Sequence, residues 1–271
     1  MAATVADTQV VILAGGRGAR FDHESQVKPK PMIEVAGKPM LGHIMDLFEA
    51  QGFRKFTILG GYLVEQISDY VATRYECRVN PPRYDYITVF GNKGQHVDTH
   101  VFDTGLEAST GDRLMELSLD FMLQKPHVLT YGDGLCDVDM ERVISLHGEK
   151  KTEVTLTAVR PPSRFGLVEF VGDDPRATLI DSFSEKPAEG WINGGFMFVN
   201  NGVVPRYVPR YPFDEGPYES FESGALARLA LAGKLHAYKH TGYWRCMDTR
   251  RDLELIEADV ATAGGNLPWK R

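Results

Sequence analysis

The run Val10-Val11-Ile12-Leu13-Ala14 passes straight into Gly15-Gly16-Arg17-Gly18. A short, wholly apolar and largely β-branched segment has no face to offer water, which fits a strand covered on both sides, as in a parallel sheet. The glycines that follow require a loop before any helix can start. Pro39 then stands at a helix start, with Met40, Leu41, Ile44, Leu47 and Phe48 at helical spacing and Gly52 as the stop. Phe56-Thr57-Ile58-Leu59 reads as a second strand, and Val64, Ile67 and Val71 as the apolar side of a second helix. A β-loop-α-β-α order of this kind begins a parallel sheet with right-handed crossovers.

Residues 76–103 break that rhythm. Asn80-Pro81-Pro82 and Gly91-Asn92-Lys93-Gly94 punctuate short β-like pieces, which predicts a hairpin-rich insertion. Beyond it the pattern predicts a helix from Asp112 to Leu123, a buried strand at His127–Tyr131 ending in Gly132-Asp133-Gly134, a helix from Met140 to Gly148 and a strand at Val154–Val159. Residues 165–200 are strand-rich. C-terminal helical elements fill 220–271, with helices near Ser220–Ala232 and Arg250–Thr262. The whole chain, 1–271, therefore reads as a single Rossmann-like α/β domain. Its central sheet is mixed and mostly parallel, flanked by helices, with a small β-rich insertion. In such sheets ligands bind beyond the carboxyl ends of the strands, which puts the Gly15–Arg20 loop, Asp133 and the loops after Val159 on one rim.

The formal charge is −7, which argues against general nucleic-acid binding. No apolar run is long enough to span a bilayer, and the N-terminus has no secretory pattern. Cys77, Cys136 and Cys246 have no metal-ligand spacing, so a reducing cytoplasm is the expected location. Against the acidic background the stretch from Arg17 to Lys38 is locally basic: Arg17, Arg20, Lys28, Lys30 and Lys38 face only Asp22, Glu24 and Glu34. Glycines that bare backbone N–H groups, with arginines on either side, suit phosphate. The dinucleotide fingerprint is absent, because Phe21 stands where its third glycine belongs, and no Gly-Lys-Ser/Thr closes a Walker loop. In Val27-Lys28-Pro29-Lys30-Pro31-Met32 the alternating prolines predict an extended backbone presenting the two lysines in fixed geometry.

Leu13-Ala14-Gly15-Gly16-Arg17-Gly18-Ala19-Arg20, Lys28-Pro29-Lys30-Pro31-Met32 and Gly37-Lys38-Pro39-Met40 together resemble the sugar-1-phosphate nucleotidyltransferase family. The likeness continues in order through Asp103-Thr104-Gly105, Thr110-Gly111-Asp112-Arg113-Leu114, Thr130-Tyr131-Gly132-Asp133-Gly134 and Pro161-Pro162-Ser163-Arg164-Phe165-Gly166. It ends with Phe183-Ser184-Glu185-Lys186-Pro187, Ile192-Asn193-Gly194-Gly195-Phe196 and Trp244-Arg245-Cys246-Met247-Asp248-Thr249. Within that family the chain is most similar to members that transfer a cytidylyl group from CTP to α-D-glucose 1-phosphate, giving CDP-glucose and pyrophosphate. A sister enzyme using UTP, dTTP or GTP, or another sugar phosphate, stays open as an alternative, as does a catalytically silent sensor or scaffold.

The resemblance implies a set of roles. Arg20 would grip the β- and γ-phosphates and Lys30 the α-phosphate and sugar phosphate, as the catalytic pair. Leu13, Ala14, Gly15, Gly16, Arg17, Gly18 and Ala19 would cradle the nucleotide, with Thr110, Gly111 and Arg113 reading the base from a turn. Gly166, Glu185, Lys186 and Asn193 would bind the sugar phosphate, and Asp133 and Asp248 would hold Mg2+. A homo-oligomer is also implied. Two departures stand out: Ala19 replaces the usual threonine, and Leu59-Gly60-Gly61-Tyr62-Leu63 replaces the Cys-Cys-Gly-Tyr-Lys form of the cytidylyltransferases.

Overall fold

Val10, Val11 and Ile12 are fully buried, and the strand they form lies at the centre of the molecule. In the computed structural model, which describes residues 5–16, 18, 27–75, 86–90, 97–119, 123, 125–161, 167–170, 180–184, 190–210 and 216–270, the order begins with β1 (Gln9–Leu13). The two short strands β2 (Glu34–Val35) and β3 (Lys38–Pro39) precede α1 (Met40–Ala50), β4 (Lys55–Gly60), α2 (Val64–Arg74), β5 (Tyr86–Phe90) and β6 (Asp98–Asp103). Next come α3 (Thr110–Leu119), β7 (His127–Tyr131), β8 (Gly134–Cys136), α4 (Met140–Lys150) and β9 (Val154–Val159). A hairpin of β10 (Leu167–Phe170) and β11 (Ile180–Ser184) follows, then β12 (Ile192–Asn193), β13 (Met197–Val199) and α5 (Val203–Tyr207). The chain closes with α6 (Ala227–Leu231), β14 (Leu235–Lys239), β15 (Trp244–Cys246) and α7 (Arg250–Thr262).

Among the described residues nine strands form one sheet, ordered β12-β9-β13-β7-β1-β4-β6-β5, with β14 against β9. β1 runs parallel to β4 and β7, and β4 parallel to β6, while β5, β12 and β13 are antiparallel to their neighbours. The sheet is thus mixed and mostly parallel. From β1 the chain builds outward through β4 and β6, then returns to lay β7 on the other side of β1. That reversal opens a crevice at the carboxyl ends of β1 and β7, where ligands bind in open α/β sheets.

The period-two alternation of a strand explains the core. Val10 and Ile12 join one cluster with residues of α1, α2, α4 and α7, whereas Val11 and Leu13 join the other with residues of α3, α5 and α6. The sheet is therefore covered on both faces, as its apolar central strand requires.

Four local expectations are corrected. The stretch 98–103 is not part of an insertion: β6 is a strand of the main sheet, and only β5 hairpins onto it. Its polar residues hid it, yet Thr99, Val101 and Phe102 are buried. Lys30–Met32 is a single 3-10 turn rather than extended chain, because a proline is well accommodated in the first turn of a helix. α3 starts at Thr110 rather than Asp112, because Ser109 and Asp112 cap each other: Ser109 N donates to Asp112 Oδ2 at 2.8 Å and Asp112 N to Ser109 Oγ at 3.0 Å. The helix expected at 220–232 is a π-helical turn, Glu222–Leu226, running into α6.

Candidate active site

The loop after β1 is clamped by the strands beside it. Ala14 N donates to Leu59 O at 2.9 Å, and Gly132 N donates to Leu13 O at 2.8 Å. Arg113, only 3% exposed, lies beneath the loop instead of on the surface of α3. Its Nη1 donates to Gly60 O at 2.7 Å, to Gly105 O at 2.9 Å and to Thr104 Oγ1, and its Nη2 to Gly15 O at 3.2 Å. Burial pulls its pKa down from the ordinary value, against the pull of Asp103, Asp112 and Glu116. One guanidinium thus ties the loops after β1 and β6 to the end of β4.

Gly18 has φ +62° and passes over Lys30, where an added Cβ would lie 3.1 Å from the lysine's own Cβ. Lys30 turns its ammonium toward two carboxylates, with Nζ donating to Asp133 Oδ2 and to Asp248 Oδ1, both at 2.6 Å. Burial alone would lower the lysine's pKa; Asp133 and then Asp248 outweigh it and hold the ammonium above its ordinary value. The aspartates come from distant parts of the chain. Asp133 follows β7, Asp248 follows β15, and the antiparallel β8–β15 ladder sets Cys246 opposite Gly134. Met247 N donates to Asp133 O at 2.9 Å and closes the join.

These groups line one cavity of about 330 Å³, walled by Leu13, Ala14, Gly16, Gly18, Lys30, Pro31, Gly132, Asp133 and Asp248. Gly132 has no side chain because one would lie 2.9 Å from Pro31 Cγ. Of the sequence-predicted residues, then, Leu13, Ala14, Gly16, Gly18, Lys30 and both aspartates meet in one crevice. Arg17, Ala19, Arg20, Gly166, Glu185 and Lys186 lie outside the described residues.

Thr110 and Gly111 are not a turn facing the cavity but the first residues of α3. Thr110 Oγ1 donates to Glu222 Oε2 at 2.7 Å and accepts from Phe221 N at 2.9 Å. A Cβ on Gly111 would lie 1.7 Å from Glu219 O, so both residues seat α3 on the 219–222 segment. Asn193 is exposed on β12, and its Nδ2 donates to Tyr131 Oη at 3.3 Å. Tyr131 Oη in turn donates to Glu222 Oε1 at 2.6 Å, which links Asn193 to Thr110 through two side chains. Nothing in the helical pattern around Glu222 marks it as part of this network.

Sequence reasoning also missed Cys246. Asp133, Cys246 and Asp248 offer ligand atoms that all lie within 4.8 Å of one another. Burial, with Asp133 and Asp248 beside it, pushes the Cys246 thiol up, so it is protonated near neutrality. A second such group, Cys136, Asp137 and His240, lies away from the cavity, with His240 Nε2 at 2.8 Å from Asp137 Oδ1. Among the described residues no helix is long and apolar enough to cross a membrane.

Comparison with known proteins bears on the family of the chain. A family model of nucleotidyl transferases matches residues 9–261. The chain is 35% identical over 268 residues to the glucose-1-phosphate cytidylyltransferase of Salmonella typhimurium, covering 97% of this chain and 98% of that one. It is 26% identical to a mannose-1-phosphate guanyltransferase of Gibberella zeae, over 90% of this chain and 61% of the relative. Among solved structures, HddC from Yersinia pseudotuberculosis complexed with GMP-PN superposes with a TM-score of 0.62 at 21% identity, over 93% of this chain and 99% of that one, a likeness of fold.

Proposed function

The chain belongs to the nucleotidyl transferase family, and from that premise we propose that it transfers a cytidylyl group from CTP to α-D-glucose 1-phosphate, releasing pyrophosphate. The general reaction is that of a sugar-1-phosphate nucleotidyltransferase. A sugar-phosphate oxygen bonds to the α-phosphorus, and the bond from that phosphorus to the β-phosphate oxygen breaks. The electron pair leaves with pyrophosphate. Both reactants are polyanions, so positioning and cations must supply most of the rate.

One observation carries the reading: the Lys30 ammonium held between Asp133 and Asp248 at the mouth of the β1–β7 crevice. Backbone N–H groups of the Gly15–Gly18 loop would receive the triphosphate, with Arg17 and Arg20 on its β- and γ-phosphates. Lys30, fixed under Gly18, would direct its charge to the α-phosphate and sugar phosphate. Asp133 and Asp248 would hold Mg2+. Carboxylate oxygens are the donors this hard ion takes, and a cationic group already stands between them. When bound, the ion would offset the negative charge that gathers on the phosphate oxygens. Asn193, beside Tyr131, would orient the sugar together with Gly166, Glu185 and Lys186. Leu13, Ala14 and Gly15 would line the base, with Arg113 holding them in place.

The choice of cytosine and glucose rests on the full-length similarity to the Salmonella enzyme, set against weaker similarity to a guanyltransferase. Incubation with Mg2+, glucose 1-phosphate and each of the four triphosphates tests it. Pyrophosphate release with CTP is expected. Release with UTP, dTTP or GTP but not CTP would reject the base assignment, and no release with any of the four triphosphates would reject glucose 1-phosphate as the acceptor.

A further inference from the structure

We propose that Cys246 is a third protein donor at the centre formed by Asp133 and Asp248, so that this centre takes thiophilic divalent ions such as zinc, cadmium or cobalt. The inference rests on the reading of the two aspartates as cation ligands and extends it to which cations they hold.

The backbone brings the sulfur there. Cys246 ends β15 opposite Gly134, the residue after Asp133, so no side chain at 134 separates the thiol from that carboxylate. Two residues later the chain presents Asp248, and the Met247 N–H bonded to Asp133 O fixes the spacing between the two arms. The three ligand atoms lie within 4.8 Å of one another. Donors bound to one tetrahedral zinc at about 2.0–2.3 Å stand roughly 3.3–3.8 Å apart, so side-chain rotations must draw the set together around an ion. The Lys30 ammonium stands between the carboxylates, so an ion must displace it, and both carboxylates are partly open to solvent, which gives an ion access.

Chemistry sets the preference. Two carboxylates alone favour hard ions, whereas a polarisable sulfur added to them favours zinc, cadmium and cobalt. As the metal–sulfur bond forms, the S–H bond breaks and its proton passes to solvent. The Cys136 group provides an internal comparison, because there one thiol stands with one carboxylate and one imidazole rather than with two carboxylates.

The test is a cadmium titration of the metal-free full-length protein, followed by thiolate-to-cadmium charge-transfer absorbance. The wild type and a C77S/C136S variant should both develop the band at one equivalent of Cd2+. C246S and C246A should lose it while unfolding cooperatively. D133N/D248N should need roughly tenfold more cadmium or beyond, since losing even an outer-shell partner weakens metal sites by that order. An undiminished band in C246S and C246A, or an unchanged midpoint in D133N/D248N, would overturn the proposal. Mg2+-dependent pyrophosphate release from the same wild-type preparation separates the two readings. Release without the band refutes only the thiol donor, and the band without release refutes only the reaction.

Discussion

Arg113 lies directly beneath Gly15: its Nη2 donates to the Gly15 carbonyl at 3.2 Å, and a Cβ on that glycine would fall 2.1 Å from its Cζ. The two residues exclude any side chain at the base of the glycine-rich loop after β1. Gly15→Ala must push the guanidinium off acceptors at the end of β4 and on the loop after β6 as well. Hydrogen bonds from a charged donor are worth about 1.5–3 kcal/mol each, so losing part of the fork should cost about 2–4 kcal/mol. The urea midpoint should drop and the KM for the triphosphate rise. Arg113→Lys should share the defect, because an ammonium cannot span four acceptors. Unchanged midpoints in both variants would remove Arg113 as the brace.

Lys30→Ala takes away the ammonium shared by Asp133 and Asp248. Turnover should fall by about 100-fold or more, the scale seen when one preorganised transition-state donor is lost. Unfolding should stay cooperative. The two carboxylates then face each other without a counter-charge, so Mg2+ should raise the thermal midpoint more in the variant than in the wild type. Near-normal turnover in single-turnover assays would end the assigned role of Lys30.

His127, at the start of β7, gives the protein a pH dependence of stability. It is 1% exposed, Nδ1 lies 3.2 Å from Lys125 O, and Nε2 has no hydrogen-bond partner among the described residues. That is the pattern of a neutral imidazole donating through Nδ1. Burial lowers its pKa from 6.5 to about 4, partly opposed by the Lys125 carbonyl. The unfolded histidine therefore takes up its proton first as the pH falls. Its contribution is complete above pH 6.5, declines between 6.5 and about 4, and is gone below that. The shift corresponds to about 3 kcal/mol at most. Stability of the wild type minus that of His127→Gln should shrink across this window in urea titrations. A pH-independent difference would refute the neutral assignment.

Much of this was readable from residue order. The apolar run at Val10–Ala14 located the central strand, and α7 begins and ends where its pattern predicted, at Arg250 and Thr262. Lys30, Asp133 and Asp248 meet as the motifs implied, although they are far apart in sequence. What stayed hidden depends on tertiary packing. β6 looks polar because Asp98, His100 and Asp103 alternate with or end its buried residues. Arg113 looks like a helix-surface charge until the loops it braces fold around it. Cys246 and Glu222 acquire partners only when β15 pairs with β8 and α3 seats on the π-helical turn. No local periodicity encodes such meetings.

The helix cap that follows Asp248 is bonded to the backbone of that residue. Thr249 is the N-cap of α7 in a reciprocal capping box with Asp252. Asp252 Oδ2 accepts from Thr249 N at 2.8 Å and also from Asp248 N at 3.1 Å, so the cap grips the backbone of the aspartate proposed to hold Mg2+. Thr249→Ala should cost about 1 kcal/mol, the usual worth of such a cap. Because Asp248 then moves with a fraying helix end, half-saturating Mg2+ should rise several-fold while kcat at saturating Mg2+ changes little. Thr249→Ser keeps the hydroxyl and should restore both. If Thr249→Ala lowered the midpoint of unfolding yet left the Mg2+ dependence untouched, the cap would stabilise α7 without positioning Asp248.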